Sequence, residues 1–178
     1  MSDRPTVAEV MFSGAWNVQG DPARSDFIDE VLRIFAIALP VSPNSTSRSD
    51  QLLAFWLGPR SWLLVAERTD SPQVDFTAAR DALNAFGGAL FDVSASRVAF
   101  RISGPSAAAI LAAGCPLDFH AGVFRAGACA QSVFGRVNAL VYKEDAAPTF
   151  TVLVARSFAR DVSRALHGLA VRYDRSPV

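Results

Sequence analysis

The sequence lacks most features that mark charged, membrane-spanning or disulfide-linked proteins. Its 17 basic and 17 acidic residues give a formal net charge of zero, so no overall field attracts nucleic acid or an anionic membrane. Two cysteines are too few for a disulfide scaffold, and no signal segment is recognisable. The longest apolar runs are far shorter than the roughly 20 residues that a bilayer-spanning helix needs. We therefore expect a reduced, cytoplasmic protein that binds neither nucleic acid nor membrane.

The glycine patterns of nucleotide-binding proteins are also missing. No G-x-G-x-x-G run follows a predicted strand, and no phosphate loop ending in G-K-S or G-K-T occurs. The Gly87-Gly88 pair is explained by the end of a helix. We therefore expect no flavin or nicotinamide site on this chain.

Apolar side chains are abundant instead, at 51% of the residues. A chain of 178 residues can bury one substantial core or two small subdomains that share one. An apolar and electrically neutral surface is usually covered by another protein. We therefore expect a protein partner.

The stretch from residue 97 to residue 120 contains the clearest local signals. Residues 97–103 alternate between apolar and polar, which predicts a half-buried strand. Gly104-Pro105 breaks this period and opens a short helix. Gly114 is predicted to end that helix in the left-handed conformation, and Pro116 prevents its continuation.

Periodicity predicts an α+β fold with mostly antiparallel sheets. Residues 1–24 are predicted to form an N-terminal extended arm, and residues 25–178 a single α+β domain, with two small split β-α-β subdomains as an alternative. The remaining helices are predicted after caps at Ser25 or Asp26, at Asp75 and at Ser157, with Gly168 ending the last. The other predicted strands are residues 36–39, 52–57, 62–67, 89–93, 128–134, 137–142 and 149–154.

Cys115, His120 and Cys129 are the only soft metal ligands in one region. Structural zinc sites use four ligands at tight spacings, whereas these three are irregularly spaced. A Cys115–His120 nucleophile pair is disfavoured because the carbonyl end of a helix opposes a thiolate. We interpret both cysteines as small buried residues and His120 as a hydrogen-bonded structural residue.

Two further groups of side chains are candidates for ligand contacts. Arg97, Arg101 and Arg125 could meet an anionic ligand, but we prefer the interpretation that they line a solvent or partner face. Trp56 and Trp62 could stack on a planar ligand, but such residues more often fill the core under a hairpin. We predict no catalytic, cofactor-binding or metal-binding residue on this chain.

Four segments together extend over roughly residues 36–166. In order they are WLGPRSWLLV, DVSASRVAFRISGPSAAAILAAGCPLDFH, FRAGACAQSVFGRVNALVY and FTVLVARSFARDVSRAL. With these segments the chain resembles the gamma subunit of heterotetrameric sarcosine oxidase. The GCPLD-H and RSFA-D patterns are the most specific, and the first 24 residues do not contribute.

This resemblance implies a fold related to the folate-binding aminomethyltransferases and a non-catalytic subunit that stabilises or organises a complex. The complex oxidatively demethylates sarcosine to glycine, with tetrahydrofolate as one-carbon acceptor and hydrogen peroxide as product. The resemblance implies FAD, FMN, NAD, zinc and tetrahydrofolate on the alpha, beta and delta subunits, none on this chain, and chief contact with alpha.

Three alternatives remain open. The first is a free-standing folate-binding one-carbon protein that uses Arg97, Arg101 and Arg125, although the K-G-C-[FY]-x-G-Q-E marker of folate-binding iron–sulfur maintenance proteins is replaced here by AAGCPLDF. The second is a subunit of a related N-methyl amino acid oxidase or dehydrogenase. The third is a self-associating scaffold.

Overall fold

The computed structural model describes residues 4–66 and 74–174 and divides the chain into two compact units. Unit 1 comprises Met1–Met11 and Ser96–Val178, and unit 2 comprises Phe12–Ala95. The described elements, in chain order, are β1 (Thr6–Val10), β2 (Gly14–Gln19), α1 (Ser25–Phe35), β3 (Thr46–Arg48), β4 (Leu52–Gly58), β5 (Ser61–Ala66), α2 (Phe76–Ala85), β6 (Ala89–Asp92), β7 (Arg97–Ser103), α3 (Ala107–Ala112), β8 (Cys129–Phe134), β9 (Val137–Lys143), β10 (Thr149–Ala155) and α4 (Ala159–Asp174).

Unit 1 is built on an antiparallel sheet with the strand order β1-β7-β10-β9-β8. One face of β7 carries Val98, Phe100 and Ile102, as its alternation predicts, and these side chains are buried in a core with residues of α3 and α4. Both helices therefore lie on the same face of this sheet. The opposite face of β7 carries the polar side chains of the strand.

Unit 2 repeats this plan with the strand order β3-β4-β5-β2-β6. Its core joins apolar residues of β2, β4 and β5 to Phe27, Val31 and Phe35 of α1 and to Leu83 of α2. Apolar side chains of both parities are buried on β4 and β5, as their continuous hydrophobic pattern predicts. The α+β class with antiparallel sheets is confirmed.

Helix α2 begins and ends at the residues that its sequence signals indicate. The Asp75 side chain accepts a hydrogen bond from the Ala78 N–H at 3.1 Å, which satisfies one of the otherwise unpaired donors of the first turn. After the helix, Gly87 adopts a φ of +74° and the Gly88 N–H bonds to the Leu83 carbonyl at 2.9 Å.

Removal of this cap gives a first test of the fold. We expect Asp75→Ala to lower the free energy of unfolding by about 1 kcal/mol, because the Ala78 N–H loses its acceptor. Urea denaturation followed by tryptophan fluorescence measures the change. Asp75→Asn keeps an acceptor at the cap and should differ from the wild type by only a few tenths of a kcal/mol. Equal losses in both variants would contradict this role for Asp75.

Residues 1–24, predicted as an extended arm, contain two strands in the described part of the segment. Strand β1 pairs with β7, and β2 lies between β5 and β6 in the middle of its sheet. Both strands are short, and their partners are distant in the sequence. Local periodicity therefore gives no sign of the pairing.

Three local predictions differ from the structure. Residues 36–39 do not form a strand, because Ala36 takes a left-handed φ of 50° at the end of α1. Gly114 does not have a positive φ; it is required because a Cβ there would lie 2.6 Å from Cε2 of Phe134. Helix α4 continues through Gly168 to Asp174, since apolar residues beyond the glycine extend its buried stripe.

The predicted caps of two helices also differ from the structure. Helix α1 begins at Ser25, and its N-cap, Arg24, makes no side-chain capping bond. Ser157 lies within a single 3₁₀ turn that precedes α4. Among the described helices, none is both long enough and apolar enough to cross a membrane.

Candidate functional site

The polar face of β7 places Arg97 and Arg101 on the same side of the sheet. Nε of Arg101 donates a hydrogen bond to Oε1 of Glu144 at 2.7 Å. The Thr151 hydroxyl donates to the same carboxylate oxygen, and Thr151 is the neighbour of Arg101 across the β7–β10 pair. The Arg101 guanidinium is therefore held by a carboxylate of its own chain.

The other two candidate arginines lie at separate places in unit 1. The Arg97 carbonyl accepts a hydrogen bond from Nη2 of Arg156 at 2.9 Å. Arg125 lies in the segment between α3 and β8, where its Nε donates to the Gly122 carbonyl at 3.2 Å. The structure therefore gives each of the three arginines a different local environment: Arg97 and Arg101 lie on a strand of the sheet, whereas Arg125 lies in a loop.

The two cysteines are buried free thiols, as predicted. The Cys115 N–H bonds to the Leu111 carbonyl at 2.8 Å and closes the end of α3, whereas Cys129 begins β8. His120 is exposed, and its Nδ1 accepts a hydrogen bond from the Gly122 N–H at 3.2 Å. Within residues 4–66 and 74–174, no three His, Cys, Asp or Glu side chains are grouped closely enough to hold a metal ion.

The tryptophans of the β4–β5 hairpin are core residues, as the preferred interpretation states. Trp62 is buried, and its Nε1 donates a hydrogen bond to the Pro40 carbonyl at 2.8 Å. Trp56 is its neighbour across the hairpin and packs, partly buried, against the core of unit 2. The Trp62 indole is therefore enclosed in the core, and the Trp56 indole packs one side against it.

Unit 2 contains an open cleft of about 460 Å³ that no sequence pattern predicts. It forms where the chain leaves β2, enters α1, turns between β4 and β5, and passes from α2 into β6. Its lining residues are Gln19, Gly20, Asp21, Arg24, Arg60, Gly87, Gly88 and Ala89.

Each arginine of the cleft is paired with a carboxylate. Arg60 bonds to Asp21, and Nη2 of Arg24 lies 2.6 Å from Oδ2 of Asp26. The Ala23 N–H, and after it the Arg60 guanidinium, lowers the pKa of Asp21, while the Arg24 guanidinium lowers the pKa of Asp26. Each charged side chain that lines the cleft therefore has an oppositely charged partner.

The fold is shared with two solved proteins. The glycine cleavage system aminomethyltransferase T from Bartonella henselae matches with a TM-score of 0.62 and 18% identity, over 93% of this chain and 46% of that chain. A chain of the heterotetrameric sarcosine oxidase from Corynebacterium sp. U-96 in complex with pyrrole 2-carboxylate matches with a TM-score of 0.88 and 22% identity, over 100% and 90%. The chain therefore has an aminomethyltransferase-like fold.

Sequence comparison identifies the particular family. The model of the sarcosine oxidase, gamma subunit family matches residues 19–167, and the chain belongs to that family. Sarcosine oxidase subunit gamma of Corynebacterium sp. (strain U-96) is 40% identical over 65 residues, 36% of this chain and 30% of the relative. The Arthrobacter sp. subunit gamma is 28% identical over 88 residues, 49% and 42%. The matched stretches thus span less than half of these relatives, and the resemblance stated from the four segments is confirmed.

Proposed function

We propose that this chain is an accessory subunit of a heterotetrameric sarcosine oxidase and that it stabilises or organises the complex without an active site of its own. The match of the gamma subunit family over residues 19–167 is the observation that carries this proposal. The complex would demethylate sarcosine to glycine, with tetrahydrofolate as one-carbon acceptor and hydrogen peroxide as product.

In this proposal the chemistry belongs to the other subunits. FAD, FMN, NAD, zinc and tetrahydrofolate would be bound by the alpha, beta and delta subunits, with alpha as the chief neighbour of this chain. The free buried thiols of Cys115 and Cys129 fit a reducing compartment and support a cytoplasmic location.

The contacts of the candidate reactive groups support the accessory role. Arg101 is neutralised by Glu144, His120 accepts a hydrogen bond within its own turn, and Cys115 is buried at the end of a helix. A nucleophile or general base would need a free, oriented partner within hydrogen-bonding reach. These groups instead stabilise the strands, turns and helices on which they lie.

Co-purification from the native host tests the proposal. We expect a tagged copy of the full chain to elute with stoichiometric large subunits and with flavin absorbance. The other subunits should lose oxidase activity faster on warming when this chain is deleted, and re-expression of the chain should restore their stability. Unchanged assembly, activity and thermal stability in the deletion strain would refute the accessory role. Assays of the purified complex with sarcosine and other N-methyl amino acids would then identify its substrate.

A free-standing folate-binding protein is a second candidate, favoured by the fold that the chain shares with aminomethyltransferase T. It requires a saturable reduced-folate site on the isolated chain that is lost when Arg97, Arg101 and Arg125 are replaced by alanine. We expect no saturable binding up to millimolar folate, since Glu144 already occupies the Arg101 guanidinium. Saturable binding that depends on these arginines would favour the second candidate over the first.

A further inference from the structure

Helix α4 has an exposed face that its own unit does not cover. Its buried side consists of Val162, Leu166 and Ala170, which pack into the core of unit 1. At the opposite side, the spacings i, i+4, i+8 and i+11 align four residues along the axis. We call them the outer stripe of α4; they are Arg160, Arg164, Gly168 and Val171, and all four are exposed.

The two arginines of the outer stripe form a like-charge pair without a counter-ion in the described part of the chain. They are neighbours at i and i+4, where two equal charges destabilise a helix. Within the described ranges no carboxylate forms an ion pair with either of them, and Asp161 beside the stripe pairs with neither. Several other arginines of the chain have such partners; Arg33, for example, lies 2.6 Å from Glu30 on α1.

Gly168 is equally unexplained by contacts within the chain. It lies inside a 16-residue helix, where glycine is a poor helix former. A Cβ at this position would meet no atom within 4 Å, so no neighbour in the structure requires its absence. Val171, one turn further on, leaves 54% of its surface exposed. A missing side chain beside an exposed valine favours the close approach of a backbone from outside.

We propose that the outer stripe of α4 docks against an acidic surface of another subunit, with carboxylates facing Arg160 and Arg164 and a closely packed backbone facing Gly168 and Val171. This inference rests on the proposed function, because the occupant is a subunit of the same complex. The stripe presents two positive charges at one end. At the other end it presents the apolar side chain of Val171 beside Gly168, which has no side chain. A nucleic acid or an anionic membrane would use the first feature and not the second, and the net charge of zero attracts neither.

Binding of the full chain to the remaining subunits tests the surface. The chain-free complex is isolated from the deletion strain and titrated with purified chain, and Kd is measured at two salt concentrations. We expect Arg164→Glu to weaken binding by about tenfold or more and to reduce its salt dependence. Gly168→Leu, which adds bulk without charge, should weaken binding by a similar factor. Arg136→Glu makes the same charge change at an exposed turn of unit 1 and should leave Kd within about twofold.

A stability measurement separates docking from folding. Gly168→Ala should raise the Tm of the isolated chain by about 2 to 4 °C, because alanine is the better helix former and its methyl group meets open space. Arg164→Glu should not lower Tm, since it removes a like-charge contact. A weakened complex formed by a chain of undiminished Tm is the signature of a docking surface.

Three results would overturn the inference. Wild-type Kd values for both Arg164→Glu and Gly168→Leu would reject this surface while leaving the accessory role intact. No binding of the wild-type chain to the chain-free complex would reject the accessory role and the surface together. Binding to phosphatidylserine vesicles that Arg164→Glu abolishes, with the complex unaffected, would assign the stripe to a membrane instead.

Discussion

Replacement of Phe27 by alanine is expected to lower the free energy of unfolding by about 3 to 5 kcal/mol. The Phe27 ring is completely buried in α1, with its centroid 6.3 Å from that of Trp62. Gly20 and Gly88 flank the ring, and a Cβ at Gly88 would lie 2.5 Å from its Cε2 atom. The walls of this slot are therefore partly backbone, which cannot collapse into the cavity as side chains can. The loss should accordingly lie toward the upper end of the range.

Tryptophan fluorescence is a selective probe for this experiment. All three tryptophans, Trp16, Trp56 and Trp62, lie in unit 2, so their emission reports on the unit that contains Phe27. Phe91→Ala on β6 is the matched control, because the Phe91 side chain is 50% exposed in the same unit. We expect its loss to stay below about 1 kcal/mol. Comparable losses in the two variants would refute the packing role assigned to Phe27.

The second large effect is expected for Phe150→Ala in unit 1, again about 3 to 5 kcal/mol. Phe150 is buried on β10, and its ring centroid lies 5.6 Å from that of Phe119 and 6.3 Å from that of Phe124. Nζ of Lys143, the only lysine in the chain, lies 4.4 Å from the centroid of the same ring. The variant therefore removes an aromatic anchor and a cation–π contact together.

This change should also loosen the segment between α3 and β8. Residues 115–128 contain no helix and no extended strand, and Phe119 and Phe124 bury their rings against Phe150. Amide hydrogen exchange should show loss of protection in this segment at denaturant concentrations where α4 remains protected. Phe158→Ala, at a residue that is 44% exposed in the same unit, serves as the control and should leave exchange in the segment unchanged. A uniform loss of protection throughout unit 1 would argue against a local anchor.

Sequence signals predict those elements whose determinants lie within a few residues of one another. Helix α2 has its cap at Asp75 and its stop at Gly87, and the β4–β5 hairpin has its turn between two apolar runs. The strands of residues 1–24 escape such prediction because β1 and β2 are defined by hydrogen bonds to distant strands. A short strand without its partner has no distinctive local pattern.

Local sequence signals likewise do not reveal the outer stripe of α4. The local pattern predicts that Gly168 ends the helix, because a glycine near the end of a periodic segment usually does. The buried side chain of Ala170 shows that the periodic face continues beyond the glycine. Only the packed helix reveals that Gly168 lies on the same stripe as two arginines that pair with no described carboxylate. The family resemblance, by contrast, depends on contiguous segments, so the amino-acid sequence alone is enough to reveal it.

The division of the chain has a consequence for the order in which the protein folds during synthesis. Unit 2 interrupts unit 1, so β1 leaves the ribosome long before β7, its only partner among the described strands. Thr6 and Ser103, which are hydrogen-bonded across that pair, are 97 positions apart. Folded unit 2 holds its own ends together, since the Ala15 N–H donates to the Ser94 hydroxyl at 2.9 Å. Once unit 2 has folded, the chain between β1 and β7 no longer acts as one long flexible loop. The entropic cost of bringing these two strands together is therefore smaller, and β1 can join its sheet as soon as β7 is made.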